Sequence, residues 1–224
     1  PLFIGFCGSS NPEDNEDEDE KANELREYSF PGLESFVVYC PREISSKSEE
    51  LMHLGLSFMC YDPNYQYDEE DDEEMEVDEY SDEDYGSDDD DSSWKVRKAA
   101  VRLISAIISS RADALYVLYD ELVDGLISRF KEREENVRLD IISAFTNLVS
   151  TTQDPSKISE SERYGLEQGF PNPSKMKVNG GLERQNSQES RLQSKIPALL
   201  KAIYKQLASS SIKTKSAVFV LLQT

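Results

Sequence analysis

The sequence predicts an all-α fold, an α-solenoid in which helical pairs stack side by side, and three observations carry the prediction. First, "KVRKAAVRLISAII" from Lys95 and "NVRLDIISAFTNLV" from Asn136 repeat one apolar pattern at an offset of 41 residues. Second, another kind of amphipathic segment precedes such a helix. Third, the turn between the two is constant where it is undisturbed: seven residues from Phe130 to Val137, and seven from Leu207 to Thr214. Apolar residues at i, i+3, i+4 and i+7 give a helix one apolar stripe. A single pair cannot cover its own stripes, so neighbouring pairs must stack.

Taken in order, the second helices of the units align closely. Val96-Arg97 matches Val137-Arg138, Leu103 matches Ala144, and Ile107 matches Leu148. "NELREYSFPGLESFV" puts Leu25-Arg26 and Phe36 in the same slots, and "IKTKSAVFVLLQT" puts Thr214-Lys215 there. The first helices are "LMHLGLSFM" from Leu51, "LVDGLISRF" from Leu122 and "LLKAIYKQL" from Leu199. They are expected to bury their first, second, sixth and ninth positions, with Gly55 as the departure. A period of 41 falls in the roughly 40–47 residue range of HEAT and armadillo arrays. Two helices per unit and a Val-Arg opening the second favour HEAT-type pairs. A non-repeating helical bundle is the competing arrangement. Pro31 interrupts the first of the second helices; it shares a slot with Arg102 and Ser143 and is expected to face away from the core.

The predicted units are 1–40, 41–110, 111–150 and 191–224, the first and last truncated. "PLFIGFC" opens the chain without a start Met and "KSAVFVLLQT" closes it inside an apolar helical pattern, so a piece of something longer is expected. Three insertions disturb the template. Met59 and Val96 stand 37 residues apart instead of seven, which makes 62–91 an insertion in the turn of the second unit. Cys7 and Leu25 are 18 apart, a shorter insertion over 8–21 in the equivalent turn. A polar loop over 151–190, rich in Ser, Asn, Gly, Gln and Pro, separates the third and fourth units and is expected to be disordered.

The formal charge of −21 resides in the first two insertions. Residues 62–91 carry 18 acids and 13–20 carry seven, neither with a cation, while the remaining residues hold all 24 Lys and Arg against 20 acids. An acidic tract with little to bury cannot fold alone. Its last carboxylates, with Ser92 or Ser93 as a hydroxyl cap, suit the N-terminus of the following helix, and Trp94 is expected to pack at that entry.

Several classes are disfavoured. No basic stripe suits nucleic acid, and no apolar run approaches the ~18 residues of a membrane span. Cys7, Cys40 and Cys60 lack C-x-x-C pairing and read as buried free thiols of a reducing compartment. His53, the one histidine of the sequence, reads as a partly buried structural residue, and neither catalytic motifs nor cysteine pairs at zinc spacing occur. Asp82, Asp84 and Gly86 approach an EF-hand phase, but glycine stands at a ligand position. The chain is therefore read as no enzyme, and no cofactor or metal is expected. Partner contacts are expected at Arg97, Lys98, Lys131, Arg133 and Arg138. For Arg97, Arg138 and Lys215, equivalent in the repeat, a ladder of pairs with turn carboxylates is the competing role. Ser81 and Ser87, each with acid three residues downstream, are candidate phosphorylation sites.

"YDPNYQYDEEDDEE", "SDDDDSSWKVRKAA", "LISRFKEREENVR" and "SIKTK", in this order, resemble the cullin-associated and neddylation-dissociated family, HEAT-repeat exchange factors of cullin-RING ubiquitin ligases. The resemblance places the chain as an internal fragment of the N-terminal third of such a protein. Pro31 and the polar loop depart from the pattern. The resemblance implies binding to a cullin carrying its RING-box subunit when the cullin is unneddylated, competition with adaptor and substrate-receptor modules, and receptor exchange without bond chemistry, in cytoplasm and nucleus. An acidic-loop chaperone or transport receptor for basic cargo is the alternative, in which the tract 62–91 would itself be the binding site.

Overall fold

The stripe that runs along residues 96–107 is buried throughout: Val96, Ala100, Leu103, Ile104 and Ile107 are all fully enclosed. Ala99, Val101 and Ile108, off that stripe, are buried as well; at 3.6 residues per turn this enclosure needs more than one neighbour, and the architecture follows from that. The computed structural model describes residues 4, 5, 7, 16–61, 92–111, 115–153 and 188–224. Among them the regular structure is helical: α1 (Glu16–Tyr39), α2 (Ser48–Met59), α3 (Ser93–Ser110), α4 (Leu115–Ser128), α5 (Glu135–Gln153), α6 (Gln188–Ala208) and α7 (Ile212–Gln223). Short 3-10 turns occupy Ser45–Lys47 and Arg129–Lys131. None of these helices is long and apolar enough to cross a membrane.

The helices form two layers. α1, α3, α5 and α7 pack in series as one layer, and α2, α4 and α6 as the other, each of these three also touching the helix that follows it in its own unit. This is the stacked-pair arrangement the repeat predicts. The tract 62–91, with the acidic arm and its calcium phase, and most of the polar loop lie outside the described residues.

Particular positions sharpen the template. In the first helices of the units the fifth position is buried: Gly55, Leu126 and Ile203 are enclosed, while Tyr204 at the sixth position is 75% exposed. Gly55 is therefore no departure. A Cβ there would stand 2.7 Å from Ile104 Cγ1, so the large side chain filling this slot comes from α3. Pro31 is exposed, as its slot predicts. It sits inside a continuous α1, on a face where water can reach a carbonyl that lacks its helical donor.

The acidic run 16–20 is the start of α1 rather than part of a turn, because carboxylates are favoured in the first turn of a helix. Ser92 occupies the N-cap of α3 without a side-chain cap bond, and the buried Ser93 Oγ instead accepts from Arg97 Nη1 at 2.8 Å. The expected hydroxyl cap is thus replaced by a bond to an arginine. Ser211 does cap α7, its Oγ accepting from the Thr214 N–H at 3.1 Å. Trp94 packs against the core, half-buried, at the entry to α3. Of the thiols only Cys7 is buried, Cys40 being intermediate and Cys60 exposed, which corrects the expectation for the last two. Burial raises the Cys7 thiol to about 11, against a smaller lowering by the nearby Arg26.

Candidate functional site

The second helix of each unit carries a cation in one slot: Arg26, Arg97, Arg138 and Lys215. In a stack this slot points from one unit towards the turn of the next, and the first three side chains make that reach. Arg26 donates to Asn23 Oδ1 at 3.0 Å and to the Tyr61 hydroxyl at 3.4 Å. Its guanidinium lies 5.1 Å from the Phe58 ring centre and 5.2 Å from that of Tyr61, within the ~6 Å range of cation–π attraction.

Arg97 forms the central rung. It donates to the Tyr61 carbonyl at 3.2 Å, to Ser93 Oγ at 2.8 Å and to Glu132 Oε1 at 3.2 Å. Glu132 also receives Arg129, and one of its oxygens accepts the Glu134 N–H at 3.1 Å. Two arginines and one carboxylate are thus buried together, with hydrogen bonds on the carboxylate from both sides. One residue also holds both roots of the 62–91 insertion, since Tyr61 precedes it and Ser93 follows it.

Arg138 donates to the Glu132 and Arg133 carbonyls at 2.7 and 3.4 Å, and to Thr214 Oγ1 at 3.4 Å. Around it Glu135 accepts from Ser211 and from Lys213 Nζ, the latter at 3.2 Å, and these two hydrogen bonds hold the Glu135 carboxyl below the ordinary range. The ladder role therefore accounts for Arg97 and Arg138.

Arg97 is a correction to the expected partner contacts. It is 0% exposed, with its guanidinium committed inside the stack, and cannot meet a partner. Arg138 is half-buried in the same ladder. Lys131 and Arg133 stand exposed on the turn beside Glu132. Lys98 lies apart from them, in a groove of about 350 Å³ between α1 and α3 that Tyr28, Pro31, Trp94, Lys95 and Arg102 also line. The expected contacts thus fall into two surface groups and do not form one site. Ser81 and Ser87 lie outside the described residues. His53 is more exposed than expected, its side chain 47% exposed; its Nδ1 stands 3.1 Å from Glu121 Oε1, linking α2 to α4.

Sequence reasoning missed Arg111, Arg129 and Glu132. Arg111 is fully buried and donates to the Pro41 carbonyl at 3.3 Å, fastening the end of α3 to the connection after α1. The available signal was local: "RFKER" sets one acid among three of the exposed-looking cations of a turn. Nothing in that string tells which charges are enclosed, because the enclosing atoms come from α3.

The chain is similar along its length to known proteins. It is 34% identical over 206 residues to "Cullin-associated NEDD8-dissociated protein 1" of Drosophila melanogaster, which covers 90% of the chain. It is 34% identical over 227 residues to the Arabidopsis thaliana protein of the same name, covering 100% of the chain. By descent the chain is homologous to the cullin-associated NEDD8-dissociated proteins. "Cullin-associated NEDD8-dissociated protein 2" of Mus musculus is 36% identical over 226 residues. The chain spans 15–16% of the length of these relatives. No protein-family model matches it.

Proposed function

We propose that this stack serves as a non-enzymatic scaffold segment that associates with a cullin carrying its RING-box subunit. On this reading the protein binds the unneddylated cullin, competes with adaptor and substrate-receptor modules, blocks neddylation and so promotes receptor exchange, in cytoplasm and nucleus. The similarity to cullin-associated NEDD8-dissociated proteins over nearly the whole chain carries the reading. The ladder agrees with it in kind: buried arginines that tie each unit to the next hold a stack in one curvature, and a stack of fixed curvature suits an extended partner.

The test is a pull-down of the protein with a cullin and RING-box complex, unmodified and neddylated side by side. Capture of the unmodified complex alone is expected. Equal capture of both, or of neither, sinks the proposal.

A further inference from the structure

Three neighbours cover α3: α1 and α5 within its layer, and α2 from the other layer. Its remaining side carries Lys95, Lys98 and Arg102 at i, i+3 and i+7, which sets three cations along about 10 Å of one helix face. The groove of about 350 Å³ between α1 and α3 runs beside them, and its apolar lining includes Trp94, Ala99 and Pro31. Both of its walls are second helices packed against each other inside the stack, so the groove does not depend on what adjoins the first or the last helix.

The cations of this face are poorly neutralised. Glu27, the one acid of the lining, stands 3.9 Å from Lys95 Nζ, and Asp140 Oδ2 stands 3.6 Å from Arg102 Nε. Both separations exceed hydrogen-bond reach, and such pairs between partly exposed side chains are worth little, so a better-placed anion can claim either cation. Lys98 is half-buried and has no ion pair among the described residues. An ammonium held partly out of water without a counterion carries a desolvation cost that an incoming carboxylate would offset.

An apolar trough flanked by three cations fits a ligand with the converse pattern, carboxylates beside one large apolar side chain. Nucleic acid fits less well. A chain of net charge −21 repels a polyanion in proportion to its charge, whereas a short peptide brings only the carboxylates that the groove can hold. We infer that the groove between α1 and α3 docks an acidic peptide segment of a partner protein, with carboxylates on Lys95, Lys98 and Arg102 and an apolar side chain against Trp94. The inference goes beyond cullin binding and does not depend on it, so either can fail while the other stands.

Trp94 is the one tryptophan of the sequence, and its emission therefore reports on the groove alone. The test titrates the whole chain with a short synthetic peptide of glutamates around a single leucine. A saturable change in Trp94 emission is expected, with a Kd below about 1 mM. Lys98→Met, which keeps an apolar stem and removes the charge, is expected to weaken binding about tenfold, and Lys98→Arg to restore most of it. Arg102→Gln, at a side chain 57% exposed, is expected to weaken binding in the same direction without touching the core; unchanged helicity by circular dichroism shows that each variant folds. No saturable change, an equal change with lysines in place of the glutamates, or indifference to both Lys98→Met and Arg102→Gln overturns the inference. Tighter binding of a DNA duplex at the same residues overturns it in favour of nucleic acid. Binding that appears only when residues 62–91 are replaced by a short Gly-Ser linker overturns it in favour of the chain's own acidic tract as the occupant.

Discussion

Arg97 and Glu132 meet at 3.2 Å across two units, with side chains 1% and 0% exposed. The carboxylate is shared with Arg129, so Glu132 balances two buried guanidinium groups, whereas either arginine balances one carboxylate that the other still contacts. That asymmetry ranks the consequences of breaking the cluster.

Glu132→Gln is expected to destabilise the chain by about 3–5 kcal/mol, the cost of leaving buried charge without its counterion. Arg97→Met should cost less, because Arg129 still neutralises the carboxylate, although the Tyr61 carbonyl and Ser93 hydroxyl lose a donor. Urea denaturation of the three proteins checks the order. A Glu132→Gln variant within about 1 kcal/mol of the parent would show that the cluster is not what couples the units.

Two buried or half-buried glycines of the first helices separate a packing requirement from helix propensity. At Gly55 a Cβ would meet Ile104 Cγ1 at 2.7 Å, close to the root of a β-branched side chain that has little room to move. Gly55→Ala should therefore cost about 1–3 kcal/mol as overpacking, despite the better helix former. At Gly125 the nearest atoms are side-chain ends, Leu56 Cδ2 at 3.0 Å and Met59 Cε at 3.7 Å. These can give way, and the gain of up to about 1 kcal/mol in propensity should leave Gly125→Ala near neutral or slightly stabilising. Thermal melts of both variants decide it; equal effects would contradict the difference in contact.

Acid should loosen the contacts between the last two units. Asp120 accepts two hydrogen bonds from Arg191 Nε and Nη2 at 3.0 and 2.6 Å, and these hold its carboxyl below the ordinary range. Glu135 is lowered in the same direction by Ser211 and Lys213. A carboxyl lowered by folding adds stability that is complete above its unfolded pKa and is lost as pH falls through the folded one. Melting temperature should thus hold near neutral pH and decline below the ordinary carboxylate range. Asp120→Asn and Glu135→Gln should each flatten the decline. An unchanged acid limb in the double variant would assign the loss to other carboxylates.

The repeat was legible because it is written in local terms. Apolar spacing at helical period and a seven-residue turn are properties of short windows, and covering such stripes leaves stacking as the outcome. Pro31 could be placed on the outside for the same reason, from its slot alone. The arginine slot was legible as a periodic feature too, and the ladder was among its two readings.

The sequence by itself determined the helices, their pairing and the row of cations in one slot of the second helix of each unit. Only the tertiary structure decided what each member of that row does. Arg97 is enclosed because the next turn offers Glu132 and the first turn of its own helix offers Ser93; Arg138, in the same slot, meets Thr214 and stays half-buried. Burial depends on atoms distant in sequence, and a repeat that assigns equivalent slots does not assign equivalent neighbours.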